Sequence, residues 1–555
     1  MRRRALVVVP ALAVALAVPT TAQAARGFSY GVSAAEVTSS SAILWAHATS
    51  AGRYVVRIAR DSRFRHVLAT ARPSARRTSD NTMQVTVRGL RPGTRFFYRF
   101  QGSGGRRSDT GTFRTAPPAN ANATIRFAWS GDTDAQRAAG QSQPFYNSQG
   151  DHNFAVYRAM TRENNDFNLN FGDLMYSDTE VGTYFPNGAF TPAAPTALSL
   201  AAKWQKYRQN LALPNLQRLR TSAGIYNHWD DHEFIDDFSR FETLIGFNAA
   251  GQHVQVPGSS VYPAGVRAFR TYNPVTYSSR NGIYRSFRWG KNLEVFLPDE
   301  RSFRSAKAGS PTIHTCDNPS TNAPDIAPTA PQNVRAGFAL VSPSLAQPVS
   351  QACLNAINDP NRTMLGARQL AIFERAVKRS TATFKVIMNE VAIQQYFAFP
   401  YDGWEGYAAE RAKLLHFLKS NVKNVIFLTT DIHINAVNDA RFATFPSQGG
   451  PSNSGILDVT TGPVATMSFA REIDNRLGRP GTGALVDALF FDHQPTASSF
   501  PGVGMRCSVM DTFSYGEVTV TSRRLTVRLK DQHRRPVVEE EGSHPACPAF
   551  VLNKR

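Results

Sequence analysis

The sequence predicts an α/β domain preceded by a small all-β sandwich, and three observations carry that reading. From Phe28 to Pro117 the chain is made of short alternating runs separated by turns, which is the period of half-buried strands. From about Thr124 to Asp531 strand-like runs alternate with stretches of helical period. Four strand-like runs then end in aspartate or in Asp and His together, at Gly131-Asp132, Gly172-Asp173, Asp230-Asp231-His232 and Asp431-Ile432-His433. One Gly-Asp after a strand is usually an ordinary turn. Its recurrence points to carboxylates mounted along one rim of a sheet.

With 555 residues the chain is too long for one small core and is expected to hold two domains with decorations. Residues 1–24 read as a signal peptide. Arg2-Arg3-Arg4 form a positive n-region, Ala5–Val18 an apolar h-region, and Ala22-Gln23-Ala24 a small-residue cleavage site. The mature protein is therefore expected to be secreted, or in the periplasm or cell envelope. No later run is long or apolar enough to span a bilayer. Residues 28–117 form the first domain. Its closing stretch, Gly89-Leu90-Arg-Pro92-Gly-Thr94-Arg-Phe96, resembles the corner of fibronectin III/Ig-like sandwiches, with Phe96 at the usual corner tyrosine. Thr115–Asn120 reads as a linker. The second domain, 124–531, has strands near Ile125–Trp129, Phe167–Phe171, Leu293–Leu297, Phe384–Met388 and Val425–Leu428. Helices are expected over Leu200–Arg218, Arg368–Arg379 and Gly406–Ser420. Residues 306–361, rich in Pro, Ser and Asn, read as a stapled surface excursion, and 532–555 as a C-terminal tail. Proximity favours the disulfides Cys316–Cys353 and Cys507–Cys547 among three pairings.

The formal charge of +20 favours anionic partners such as phosphoesters, envelope polymers or lipid head groups, and accounts equally well for solubility. No specific nucleic-acid partner is expected, and the chain is taken as a monomer. The chemistry-bearing residues Asp132, Asp173, Tyr176, Asp231, Asn389, Asp431 and His433 are hard oxygen donors with one imidazole. A carboxylate cluster without a counter-charge raises its own pKa values. Two cations would remove that penalty and act together on an in-line displacement at phosphorus. No nucleophile elbow or phosphate-binding Gly-rich loop is present.

Gly172-Asp173-Leu-Met-Tyr176, Trp229-Asp-Asp231-His232-Glu233, Asp299-Glu-Arg301-Ser-Phe303-Arg304, Leu365-Gly-Ala-Arg-Gln369, Trp404-Glu-Gly406-Tyr407 and Asp431-Ile-His433 follow one another in order. In these blocks the chain resembles the alkaline phosphatase D (PhoD-like) family of secreted metallophosphoesterases, relatives of the purple acid phosphatases. The resemblance covers nearly the whole mature chain. It implies a metallophosphoesterase-type β-sandwich flanked by helices behind the N-terminal sandwich, and hydrolysis of phosphate monoesters or diesters, small or polymeric. It implies one metal held by Asp132, Asp173, Tyr176 and His433. A second would be held by the shared Asp173 with Asp231, Asn389 and Asp431. A phenolate and an imidazole suit Fe³⁺, and an all-oxygen set suits Ca²⁺, with Mn²⁺ or Zn²⁺ as alternatives. Two positions depart from the family pattern: Asp132 stands where a cysteine is usual, with Asp134 as a competing donor, and Thr430 where glycine is common.

The resemblance makes His232 a phosphate contact or the acid for the leaving oxygen; the plainer reading is a histidine tying down its own turn. Arg301 is either a phosphate clamp or a buried partner of Asp299. Asp230 and Glu233 read as orienters, His228 as packing, and Trp404–Tyr407 as a pocket wall or core. Two alternatives accompany the hydrolase reading. One is a phospholipase D- or teichoic-acid-type phosphodiesterase. The other is a catalytically inactive, polyanion-binding envelope protein.

Overall fold

A computed structural model describes residues 27–147, 154–185, 189–340, 342–443, 452–487, 505–539 and 546–555. The segment 1–24, read as a signal peptide, lies outside the described residues.

Period-2 patterning builds two large sheets face to face. In the strand Phe167–Phe171 the side chains of Phe167, Leu169 and Phe171 enter the inter-sheet core, and in Phe384–Met388 those of Phe384, Val386 and Met388 do so from the opposite side. The first sheet has nine strands and the second seven. Helices cover both outer faces. Leu370, Phe373 and Val377 form the apolar stripe of the helix Ala367–Arg379 and pack with Leu414, Leu415 and Leu418 of Ala408–Asn421 against Ile387 and Phe427. On the first sheet, Leu211, Leu216, Leu219 and Phe269 cover Ala128 and Trp229. The expected α/β sandwich with flanking helices is thus the observed architecture.

The helix expected over Leu200–Arg218 is two helices, Leu200–Leu211 and Pro214–Ser222. Pro214 disfavours α geometry at Leu213 and instead starts a new helix at its first turn.

The strands Val55–Ala59, Val67–Ala71, Arg95–Gln101 and Gly111–Arg114 form a separate four-stranded sheet. Facing it, Phe28–Ala35, Ser41–Ala48 and Thr82–Arg88 belong to the nine-stranded sheet itself. Phe28–Ala35 pairs in parallel with Gly224–His228, Ala34 opposite Gly224, so one ladder runs through both parts of the chain. Within the segment read as a tail, Phe550–Asn553 adds an edge strand to this sheet.

Both expected disulfides are present, Cys316–Cys353 and Cys507–Cys547. The excursion 306–361 is stapled as expected, but its middle is not superficial. Ala327, Val334 and Leu345 are buried with Phe397, Ile434 and Ile473, and Asp325 accepts both terminal nitrogens of Arg335 at 2.8 and 2.9 Å. No helix of the described residues is long and apolar enough to cross a membrane. Opening the 37-residue loop by Cys316→Ala with Cys353→Ala should cost about 4 kcal/mol through restored loop entropy. Equilibrium denaturation of the double variant would show this, and a loss below about 1 kcal/mol would mean the excursion is held by packing alone.

Candidate metal centre

The parallel strands Ile125–Ser130, Phe167–Phe171 and Gly224–His228 lie side by side in one sheet, as do Phe384–Met388 and Val425–Thr429 in the other. Asp132, Asp173 and Asp231 follow the first three strands, and Asn389 and Asp431 the last two, so the carboxyl ends of both sheets supply the site. The ligand-bearing turns are bent into the left-handed region. φ is 61° at Asp132, 46° at Asp173, 74° at Asp431 and 54° at His433. That conformation costs an L-residue roughly 1–2 kcal/mol and concentrates where geometry serves function. Gly172, at φ 80°, allows the two sheets to meet. A Cβ there would stand 3.0 Å from the Thr430 hydroxyl and 3.2 Å from Asp230. Thr430, where glycine is usual, donates to the Phe171 carbonyl at 3.0 Å and pins that crossing.

Donor atoms of Asp132, Asp173 and His433 lie within 4.8 Å of one another. The Tyr176 hydroxyl is 3.0 Å from His433 Nε2, so the four residues of the first set come together. Asp173 also groups with Asp231 and His232, and Asp231 groups with Asp230 and Asp431. Asp173 and Asp231 therefore link neighbouring clusters. Asn389 is engaged differently. With its amide nitrogen toward Glu300 Oε1 at 3.2 Å, its oxygen accepts from Trp404 Nε1 at 3.1 Å. Asp134, the competing donor, binds Thr179 and the Gln136 amide.

The protein alone does not satisfy this cluster. Asp132 Oδ2 and Asp230 Oδ2 are buried without a hydrogen-bond donor among the described residues. Burial, reinforced by Asp230 against the pull of His433, lifts Asp132 to about 7. Burial lifts Asp230 to about 6 against the opposing Arg301 charge. Asp173 and Asp431 are also pushed up by burial and by neighbouring carboxylates. Orphaned oxygens in a hard donor set, with one phenol and one imidazole, fit cations of the kind the sequence implies.

His232 lies against this cluster. Its Nδ1 is 2.9 Å from Asp178, its ring stacks on Tyr176 at 3.9 Å, and its backbone N–H donates to Asp173 and Asp231. Burial disfavours its charged form, but Asp173, Asp231 and Asp178 outweigh this and raise its pKa well above the usual value. Both readings of His232 thus have a contact: the ring faces the site, and the N–H holds the turn.

Arg301 does not pair with Asp299 through its side chain. Its guanidinium is fully buried and bonds Asp230, Asp402 at 2.6 Å and Asp431 at 3.0 Å, while Asp299 receives only its backbone N–H. The Asp299 pairing fails because Asp299 turns back to the amides of Ile283 and Ser302. Arg304 also binds Asp402. Burial would raise the Asp402 carboxyl, yet Arg301, Arg304 and Lys307 hold it well below the usual range.

Glu233 orients as expected, accepting from the backbone of Leu174 and Asp230 at 2.7 and 2.8 Å. His228 stacks on Phe171 and also faces Arg285 and Glu390, so it is more than packing. Trp404 and Tyr407 are core. Sequence reasoning gave Asp178 no role. It also missed Asn210, whose amide ties the Thr133 and Leu174 carbonyls, and Lys203. Lys203 is fully buried, donates to Ser177 and Phe234, and is pushed down to about 7 by burial against Asp178 and Glu233.

The PhoD-like phosphatase family model matches residues 138–529, and the model of that family's N-terminal domain matches 13–117. The chain is similar to alkaline phosphatase D of Bacillus subtilis (strain 168), 23% identical over 441 residues, which are 73% of this chain and 64% of that protein. The match thus spans less than two thirds of that relative's length. The fold is similar to a solved structure of PhoD at TM-score 0.69 and 19% identity, covering 97% of this chain and 92% of that one. It is also similar to a purple acid phosphatase from yellow lupin (Lupinus luteus) seeds, at TM-score 0.52 and 11% identity over 95% and 74%.

Proposed function

The chain belongs to the PhoD-like phosphatase family, and we propose on that premise that it is an exported phosphoester hydrolase working through two cations. The observation that carries this reading is the meeting of Asp132, Asp173, Tyr176 and His433 beside Asp231 and Asp431, with buried carboxylate oxygens left unpaired. The first set would hold Fe³⁺ and the second, Asp231 and Asp431 with the shared Asp173, Ca²⁺, with Asn389 joining it through an oxygen that also accepts from Trp404; Mn²⁺ or Zn²⁺ are the alternatives. Such ions, when bound, neutralise the carboxylates, make water nucleophilic at neutral pH and offset charge on the phosphoryl oxygens. The residues of the chain do the rest. Asp178 holds His232 by Nδ1, and Nε2, 3.7 Å from the exposed Asp236, gives a proton to the departing ester oxygen. Arg301, paired with four carboxylates, fixes Asp230, Asp231, Asp402 and Asp431 in place rather than clamping phosphate. Two disulfides support work in an oxidising compartment. Substrates are phosphate monoesters or diesters, with a phospholipid or envelope-polymer diesterase as the narrower form.

Two measurements test this. Activity on nitrophenyl mono- and diesters should be lost with chelator and restored by added Ca²⁺. If Tyr176 binds Fe³⁺, the purified protein should carry a visible charge-transfer band that Tyr176→Phe removes. A colourless, iron-free and fully active protein would remove iron from the proposal. Activity that survives exhaustive chelation, with no metal found, would remove the cations altogether.

A further inference from the structure

A basic groove lies outside the residues of the metal centre. Where the strand Thr82–Arg88 meets the helix Gly258–Tyr272, a groove of about 740 Å³ opens between the N-terminal strands and the α/β body. Arg240, Arg267 and Arg270 line it, all exposed, and no carboxylate does so among the described residues. None of the three forms an ion pair among those residues. Arg267 and Arg270 sit three apart on the helix and so project from one face.

Two of the guanidinium groups are held by aromatic rings rather than by acids. Arg240 lies over Tyr262 at 4.9 Å and Arg270 over Tyr277 at 5.0 Å. Such contacts restrict the side chain without using its N–H donors or cancelling its charge. On the opposite wall the Ser79 and Thr82 hydroxyls donate to backbone carbonyls and the Gln84 amide to the Arg270 carbonyl, so the arginines supply the charge and the donors. The groove also touches the centre. The Tyr262 hydroxyl donates to Ser302 at 2.9 Å, next to Arg301, and Ser239, which precedes Arg240, donates to the Arg304 carbonyl.

We propose that this groove is a binding site for phosphate groups of an extended anionic polymer, holding one stretch of the chain while another lies at the metal centre. Three unpaired arginines in a concave wall without acids suit phosphate oxygens, which accept the paired N–H donors of a guanidinium. A single small ester cannot occupy both places, so the groove matters for chains and not for monomeric esters. The polymer's role as a substrate rests on the hydrolase reading; its binding does not.

The test uses the full mature protein with Arg240→Gln, Arg267→Gln and Arg270→Gln combined, and long-chain inorganic polyphosphate as the probe. Wild-type binding should weaken steeply with salt. The variant should bind roughly tenfold or more weakly, with a log–log salt slope shallower by up to about three. Its turnover of a nitrophenyl diester should match the wild type. Because Arg267 also donates to the Thr78 carbonyl, the single variant Arg240→Glu provides the same test without that contact and should weaken polyphosphate binding too. Unchanged polyphosphate affinity in both variants would overturn the proposal. Equal affinity for polyglutamate, lost equally in the variants, would also overturn it, since the groove would then not select phosphate. Failure of the wild type to hydrolyse the nitrophenyl diester would count against the hydrolase reading alone.

Discussion

Asp173→Asn is expected to remove nearly all turnover while leaving the fold intact. Asp173 is the donor common to the Asp132/His433 and Asp231/His232 groups, so its charge serves both sides of the centre at once. An amide in its place offers one neutral oxygen where a carboxylate offered two charged ones. Cation stabilisation at phosphorus amounts to several kcal/mol, which at 1.36 kcal/mol per tenfold gives a loss of about 10³-fold or more. The fold should tolerate the change. Asn accepts the positive φ of 46° as readily as Asp does, and the exchange relieves a buried carboxylate already pushed toward its protonated form. Metal analysis and turnover on one preparation decide the matter. Full activity with unchanged metal content would show that Asp173 bridges nothing.

His232→Ala should divide substrates by their leaving groups. An alkyl phosphoester needs a proton on the departing oxygen and should lose roughly 10²–10⁴-fold, the range for a positioned acid. A nitrophenyl ester needs none and should lose far less. Asp178→Asn should follow the same pattern in weaker form, because Asp178 reaches the site through the His232 ring, while its other oxygen takes the Asp236 N–H. Equal losses on both substrates would assign His232 to phosphate contact instead. Loss of metal would trace the effect to its backbone N–H, which spans Asp173 and Asp231.

Asp132, Asp173, Asp431 and His433 were legible because each is a local event, a short apolar run broken by a Gly-Asp or Asp-x-His turn. The helix break at Pro214 was overlooked although its signal is equally local. Other features had no local signature. The partners of Arg301 lie at 230, 231, 402 and 431 and meet it only because two sheets converge. Lys203 reads as an ordinary polar helix position; burial under Phe234 and Ser177 makes it otherwise. The N-terminal strands read as a free-standing sandwich because alternation reveals which face is buried but not which edge is paired.

That paired edge bears on how the chain reaches its native state. Phe28–Ala35 is made early, yet its parallel neighbour Gly224–His228 emerges only after most of the first sheet has been synthesised. Until then the strand presents open backbone N–H and C=O groups along this edge, at Ala34 and Ala35 among others, that a second nascent chain could capture. Contacts this distant in sequence form slowly. Refolding of the full protein should therefore be slow and concentration-sensitive. A fragment ending before residue 224 should aggregate, and one extended through residue 228 should do so less.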